Sequence, residues 1–259
     1  MIAIAFWPGY WGQLSRAPFA LHAHGITATA WLILLTMQSW AITARKFAWH
    51  RASGLATFIV LPLFAAAGPL ALQGMAVLWS TRADPFHSAY GSRLVIADMI
   101  AGPSVVILVV YAFLHRRRVE AHASAMLATA LLVLPPIIGR LFPAVPGFPH
   151  GGWAGFAGFR LAFQLAEAIT LIIALSLASR SRAARFGFVF AAAATAAQMI
   201  AFETIGTISI WDQWVTLLVG LPAAPMSLAA GAVAAALLIW AWKKVPTRSD
   251  DGLEAHPAV

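Results

Sequence analysis

Seven long apolar runs, separated by short polar stretches, dominate the hydrophobic pattern of the chain. A membrane-spanning helix needs roughly 20 apolar residues, and each run is long enough. The pattern therefore predicts an all-α polytopic membrane protein, a seven-transmembrane helix bundle. We place its spans near residues 20–44, 52–79, 92–114, 120–142, 154–179, 186–208 and 216–242.

The two ends of the chain lack such runs. The N-terminal "AFWPGYW" is too short to span, and its aromatic residues are typical of a membrane interface. We expect a short interfacial segment there, or the remnant of a longer first helix, and no cleaved signal peptide. Residues 245–259 are predicted to be a disordered cytoplasmic tail, which leaves residues 1–244 as a single transmembrane domain.

Proline and glycine interrupt three of the runs. The third contains "AGPS", the fourth "LLVLPPIIGR" and the last "GLPAAP". In membrane helices these residues mark kinks or broken backbone that faces a cavity. We expect a distortion at each of the three places.

Composition supports the membrane class and narrows the partners. The chain is 61% hydrophobic and 10% charged, whereas soluble domains are about 45–50% apolar and about 25% charged. The lipid bilayer must cover the excess apolar surface. The net charge of +8 lies in short loops between apolar runs, so we predict no nucleic-acid partner. The absence of cysteine excludes disulfides and thiolate chemistry.

The distribution of cations predicts the orientation. Twelve of the 17 lysines and arginines follow the odd-numbered spans, so all twelve fall on one side of a seven-span bundle. The positive-inside rule then places the C-terminus in the cytoplasm and the N-terminus outside.

Polar side chains inside the spans concentrate in the predicted outer half. Charged groups at the bilayer centre cost at least about 2.5–3.5 kcal/mol, so they face protein or water and often carry function. Arg160, Gln164 and Glu167 are spaced i, i+4, i+7 and share one helix face. The whole candidate site consists of His24, Asp98, Arg140, Arg160, Gln164, Glu167 and Glu203.

The histidines suggest two further sites. His22 and His24 are two residues apart, so they point in different directions on a helix. We place His24 at the start of the regular helix and predict that it could bind a metal ion, with Glu203, Asp98 or Glu167 as a further ligand. On the opposite face, His50 and His122 each begin a helix and could pair across the cytoplasmic surface.

Well-known catalytic motifs do not appear in the chain. It has no phosphate-binding glycine loop, no G-x-S-x-G elbow and no H-E-x-x-H pair. Because the spans contain no lysine, a retinal Schiff base is excluded. Whether the protein is an enzyme stays open.

Four sequence stretches carry a resemblance. "FWPGYW", "HAHGITATAWLILLTMQ", "HRASG" and "EAHASAMLATALLVLPPIIGR" together resemble a group of uncharacterised bacterial polytopic inner-membrane proteins, over roughly residues 6–143. The last stretch also resembles small membrane proteins linked to oxidase assembly. The group commonly has a Lys-Arg pair where this chain has Ala123 and Ser124. The resemblance implies a membrane family and little chemistry.

Three functions are compatible with these residues. The first is a redox-related or metal/haem-related site in the outer half of the bundle, with a metal ion or haem as cofactor. The second is a proton-coupled transporter in which Arg140 and Arg160 hold a small anion and Glu167 carries the proton. The third is a structural or assembly subunit of a membrane complex, in which the polar residues only join helices.

Overall fold

Helices form almost the whole structure. The computed structural model describes residue 12, residues 18–149 and residues 152–245, with the side chains of 152–156 left out. Within those ranges it contains nine α-helices and no β-strand. The predicted N-terminal interfacial segment and almost all of the predicted tail lie outside the described residues.

Seven of the nine helices are long and apolar enough to cross a membrane, which confirms the predicted fold class. The two exceptions are the short helices α2 and α8. In chain order the helices are α1 (Phe19–Thr43), α2 (Phe47–Gly54), α3 (Thr57–Ser80), α4 (Pro85–Leu114), α5 (Val119–Gly139), α6 (Gly152–Arg180), α7 (Arg185–Glu203), α8 (Ser209–Gly220) and α9 (Ala223–Lys244).

Three helix starts differ from the predicted spans for local reasons. The span near 52–79 begins too early, because α2 ends at Gly54 and α3 starts at Thr57. The span near 92–114 begins too late, because Asp84 caps α4 by accepting a hydrogen bond from the His87 backbone N–H at 2.8 Å. The span near 216–242 merges α8 and α9. Leu221 is extended there, since a residue before proline avoids the helical region.

Only one of the three expected interruptions breaks a helix. The backbone leaves the helical conformation at the "GLPAAP" stretch, between α8 and α9. In contrast, α4 continues through Pro103, and α5 continues through Pro135 and Pro136. Membrane helices tolerate proline where neighbouring groups satisfy the freed backbone carbonyls.

Helix α4 joins two groups of helices. On one side α3 packs against α1 and α9, and on the other side α5, α6 and α7 pack against one another. Helix α4 contacts α3 and α9 in the first group and α5 and α7 in the second. A buried core that includes Trp31, Leu61 and Leu108 fills the space between them.

Several contacts bring the cationic loops to one end of the bundle, which we call the basic end (residues 44–56, 115–118, 181–184 and 243–245). Arg116 in the α4–α5 loop donates to the Trp242 carbonyl at 2.9 Å, and its guanidinium lies 4.0 Å from the Trp242 ring centroid. Ser181 in the α6–α7 loop donates to the Glu120 carboxylate at the start of α5. We call the opposite end the distal end.

A close crossing joins α5 and α7 near the basic end. Gly187 of α7 lies so close to α5 that a Cβ atom there would be 2.7 Å from the Ala125 nitrogen. Only glycine fits at such a distance, and small residues at membrane helix crossings commonly allow this kind of approach.

Candidate functional site

The structure divides the predicted polar residues into two groups. Glu203, Arg160 and Gln164 form one group, which we call the Glu203 network and which also includes Arg93. Asp98, Glu167, Arg140 and His24 form the other, which we call the Asp98–Glu167 group.

The Glu203 network ties three helices together. Arg160 of α6 contacts both oxygens of Glu203 at the end of α7, Nε to Oε1 at 2.8 Å and Nη2 to Oε2 at 2.7 Å. Gln164, one turn further along α6, donates to Oε1 at 3.0 Å. Both Glu203 oxygens are therefore satisfied, with the two-point geometry that makes arginine–carboxylate pairs strong.

Arg93 of α4 completes this network, although it was not among the predicted site residues. Its Nη1 lies 3.7 Å from Glu203 Oε2, and its guanidinium lies over the rings of Tyr90 and Phe202. Arg93 is the second residue of the predicted span near 92–114, so the sequence put it at the end of that span. Its role depends on which helix faces it, and the spacing along one helix carries no such information.

The centre of the Asp98–Glu167 group is a buried carboxyl. Glu167 is 1% exposed, and its Oε2 has no hydrogen-bond partner. The charge of Asp98 on α4 is close enough to act on Glu167 of α6. The spacing i, i+4, i+7 puts Glu167 on one side of α6 with Arg160 and Gln164. Of these three residues, Arg160 and Gln164 reach Glu203, and Glu167 does not.

Asp98 lies beside an open space. Its side chain is exposed although it is halfway along α4, and it lies within electrostatic range of His24 on α1 and Arg140 at the end of α5. Ionisable side chains of three other helices thus lie within electrostatic range of this carboxyl. Since His24 is on α1 and Arg140 is on α5, we infer that this space lies between the distal parts of those two helices.

The charged members of the group are staggered along the bundle axis. By the helix rise of about 1.5 Å per residue, Glu167 lies about 20 Å from the basic end, Asp98 about 24 Å and Arg140 about 31 Å. Arg140 reaches back along its helix, and its Nη1 donates to the Pro136 carbonyl at 2.8 Å. The order from the distal end inward is therefore cation, accessible acid, buried acid.

His24 lies in the first two turns of α1, because the helix begins at Phe19 and not at His24 as predicted. Its ring centroid is 5.8 Å from that of Phe64, and its buried Nδ1 has no hydrogen-bond partner. The imidazole is thus another polar group in this region that the surrounding protein does not satisfy.

The predicted metal pair of His24 and Glu203 is divided between the two groups. Glu203 is engaged by Arg160, Gln164 and Arg93, whereas His24 acts on Asp98. Across the described ranges, no three His, Asp or Glu side chains are grouped so that they could hold a metal ion. The metal or haem hypothesis stays a prediction.

His50 and His122 do meet at the basic end. Their ring centroids are 6.5 Å apart, with the rings nearly perpendicular. His122 Nδ1 lies 2.9 Å from the Ala112 carbonyl, so this nitrogen carries a hydrogen and donates it. The side-chain amide of Gln38 on α1 forms the most hydrogen bonds when its nitrogen faces His50 Nδ1, at 2.6 Å.

Known proteins supply no analogy for these two groups. The chain matches no protein-family model, no curated protein and no solved structure. The resemblance to bacterial inner-membrane proteins therefore stays a prediction.

Proposed function

We propose that the protein is a membrane transporter that couples movement of a small anion to movement of a proton. Glu167 is the proton carrier, Asp98 exchanges protons with the open space beside it, and Arg140 attracts the anion. The single observation that supports this most is the buried Glu167 carboxyl, whose Oε2 lacks a hydrogen-bond partner.

A carboxyl in this position is hard to explain as helix packing alone. Burying a polar group without a hydrogen bond costs about 1–3 kcal/mol, and burying an unpaired charge costs far more. Glu203 shows the alternative in the same protein, because arginine and glutamine satisfy both of its oxygens. This difference in hydrogen bonding between Glu203 and Glu167 favours a functional role for Glu167.

Charge balance in the Asp98–Glu167 group provides the coupling. Two carboxyls and one arginine are neutral together when one proton is bound and His24 is uncharged. An anion that enters beside Arg140 adds a negative charge, and a second proton restores neutrality. Because charge at this depth is costly, anion entry and proton uptake favour each other.

The order of the three groups fits this cycle. Arg140 lies nearest the distal end, Asp98 is exposed, and Glu167 is buried further in. A proton that arrives with the anion reaches Asp98 first and then Glu167. Two carboxyls whose charges act on each other bind and release their protons as a coupled pair.

The orientation and the membrane are part of the same proposal. The positive-inside rule assigns the basic end to the cytoplasm of a bacterial cell and the distal end to the outside. Because the sequence contains no cysteine, single cysteines at Ala183 and Val145 report each end separately. In intact cells, a membrane-impermeant thiol reagent should label the Val145→Cys variant only.

Proton flux in proteoliposomes tests the proposal with a panel of candidate anions. Purified protein is reconstituted with a pH-sensitive dye inside the vesicles. Gradients of chloride, nitrate, formate and phosphate are then imposed one at a time. We expect at least one gradient to drive a pH change that the Glu167→Gln variant abolishes.

Glu120→Gln is the matched control, because Glu120 is an exposed acid at the basic end, far from Asp98. This control should retain the flux. Both variants should elute from size exclusion and melt as the wild type does, so that loss of flux reports function and not folding. Equal flux in wild type and Glu167→Gln would refute the role of Glu167. A Glu167→Gln variant altered only in stability would favour the structural-subunit hypothesis.

A further inference from the structure

A cavity of about 540 Å³ opens at the basic end, remote from the Asp98–Glu167 group. It lies where the α4–α5 loop and the α6–α7 loop meet, beside the first residues of α5 and α7. Five of the residues that line it matter here: Tyr111, Arg118, Glu120, Arg182 and Phe186.

Positive charge predominates in this cavity. Arg118 and Arg182 are both exposed, and within the described chain neither forms an ion pair with a carboxylate. The acid of the lining, Glu120, accepts a hydrogen bond from Ser181. The lining therefore carries a net charge of +1 and two guanidinium groups that can each bind an anion with two parallel hydrogen bonds.

An apolar wall stands beside these charges. The rings of Tyr111 and Phe186 are stacked with centroids 4.0 Å apart, and His115 stacks on Tyr111 at 3.9 Å. Aromatic rings at the end of a membrane helix are typical of the lipid headgroup level. The cavity thus has two cationic side chains next to an apolar wall. An anionic amphiphile could bind with its charged group at the cations and its apolar part at the wall.

We propose that this cavity binds the phosphate group of an anionic phospholipid, with Arg118 and Arg182 holding the phosphate oxygens and the Tyr111–Phe186 wall contacting the glycerol and upper acyl region. Basic pockets between transmembrane helices commonly bind such headgroups. Arginine suits this task better than lysine because its planar fork matches the phosphate oxygens. Free phosphate has the same charge chemistry but makes no use of the aromatic wall.

Native mass spectrometry of the detergent-solubilised full chain tests the proposal. The protein is titrated separately with phosphatidylglycerol, with phosphatidylcholine and with inorganic phosphate. We expect one phosphatidylglycerol to bind more tightly than phosphatidylcholine. The Arg118→Ala/Arg182→Ala double variant should weaken that binding at least about tenfold, because two charge-assisted contacts are lost.

The Arg180→Ala/Arg185→Ala double variant is the matched control. It removes the same charge from exposed positions of the same segment that do not line the cavity, and it should retain wild-type binding. Glu120→Gln removes the negative charge from the lining and should tighten binding about two- to fivefold. A misfolded variant would not gain affinity in this way.

Other outcomes would overturn the proposal. Equal weakening in both arginine double variants would mean that diffuse surface charge attracts the lipid. Absence of phosphatidylglycerol binding, or equal binding of phosphatidylcholine, would exclude an anionic headgroup site. If inorganic phosphate binds as tightly as phosphatidylglycerol and displaces it, the ligand is free phosphate and the lipid assignment is wrong. None of these results depends on Glu167, so they leave the transport proposal untouched.

Discussion

Gly187→Ala tests the crossing of α5 and α7 most directly. A Cβ atom at Gly187 would lie 2.7 Å from the Ala125 nitrogen, 2.8 Å from the Ala125 Cα and 2.8 Å from the Ser124 carbonyl carbon. All three are backbone atoms, so no side-chain rotation relieves the clash. The two helices would have to move apart.

The magnitude follows from two opposing effects. Alanine favours a helix over glycine by about 1 kcal/mol. Overpacking a tight interface costs about 1–3 kcal/mol, and rigid backbone neighbours put this site at the upper end. We therefore expect Gly187→Ala to lower the free energy of unfolding by about 2 kcal/mol.

Unfolding in mixed micelles with increasing sodium dodecyl sulfate measures this difference, with the fluorescence of the 11 tryptophans as the signal. Gly139→Ala serves as the control. Its Cβ would lie 3.7 Å from the Ala162 carbonyl oxygen and 3.8 Å from the Ala166 Cβ, which are ordinary contacts. The control should match or exceed the stability of the wild type. If Gly187→Ala unfolds at the same detergent fraction as Gly139→Ala, the close crossing does not exist.

Two further predictions concern single hydrogen-bonded pairs. Thr129→Val leaves the indole N–H of the fully buried Trp31 without its acceptor at 3.1 Å, and should lower the free energy of unfolding by about 1–3 kcal/mol in the same assay. The exposed Thr36→Val should change little, and an equal loss in both would contradict the role of the buried bond. Burial raises the pKa of Asp84, but hydrogen bonds from the backbone and ring of His87 outweigh it and hold the pKa of that carboxyl below its ordinary value. The ionised form therefore stabilises the fold above the unfolded-state pKa of about 3.9, and this contribution is lost as the pH falls through the lower folded-state pKa. The thermal midpoint of Asp84→Asn should lie below that of wild type at pH 7 and approach it below about pH 4, whereas a constant difference would refute this explanation.

The length of the apolar runs was enough to predict seven membrane helices, because bilayer thickness sets a length that any spanning helix must reach. The first residue of each helix depends on local interactions, such as capping, that a hydropathy pattern does not show. Asp84 caps α4 ahead of the apolar run, and Leu221 and Pro222 separate α8 from an equally apolar α9. Pro103 is an example of the opposite error. Its stretch suggested a distorted or broken helix, yet α4 continues through it.

The residues of the candidate site were predicted from their depth in the membrane. Depth alone could not show that they form two separate groups. Glu167 and Glu203 were both predicted to lie in the outer half of the bundle, yet one carboxyl has an oxygen without a partner and the other is held by arginine. Which of the two meets Arg160 depends on how α6 and α7 pack, and no spacing within one helix reports that. For the same reason, the contribution of Arg93 from α4 could not be predicted.

Helix α4 carries one residue of each polar group, and this links the two mechanically. Asp98 and Arg93 are five residues apart, so their side chains point about 140° apart around the helix axis. If α4 turned about its axis to change the surroundings of Asp98, the same turn would displace Arg93 from Glu203. If such a rotation accompanies the proposed proton transfer at Asp98, it would have to break the contact between Arg93 and Glu203, so the Glu203 network would oppose it.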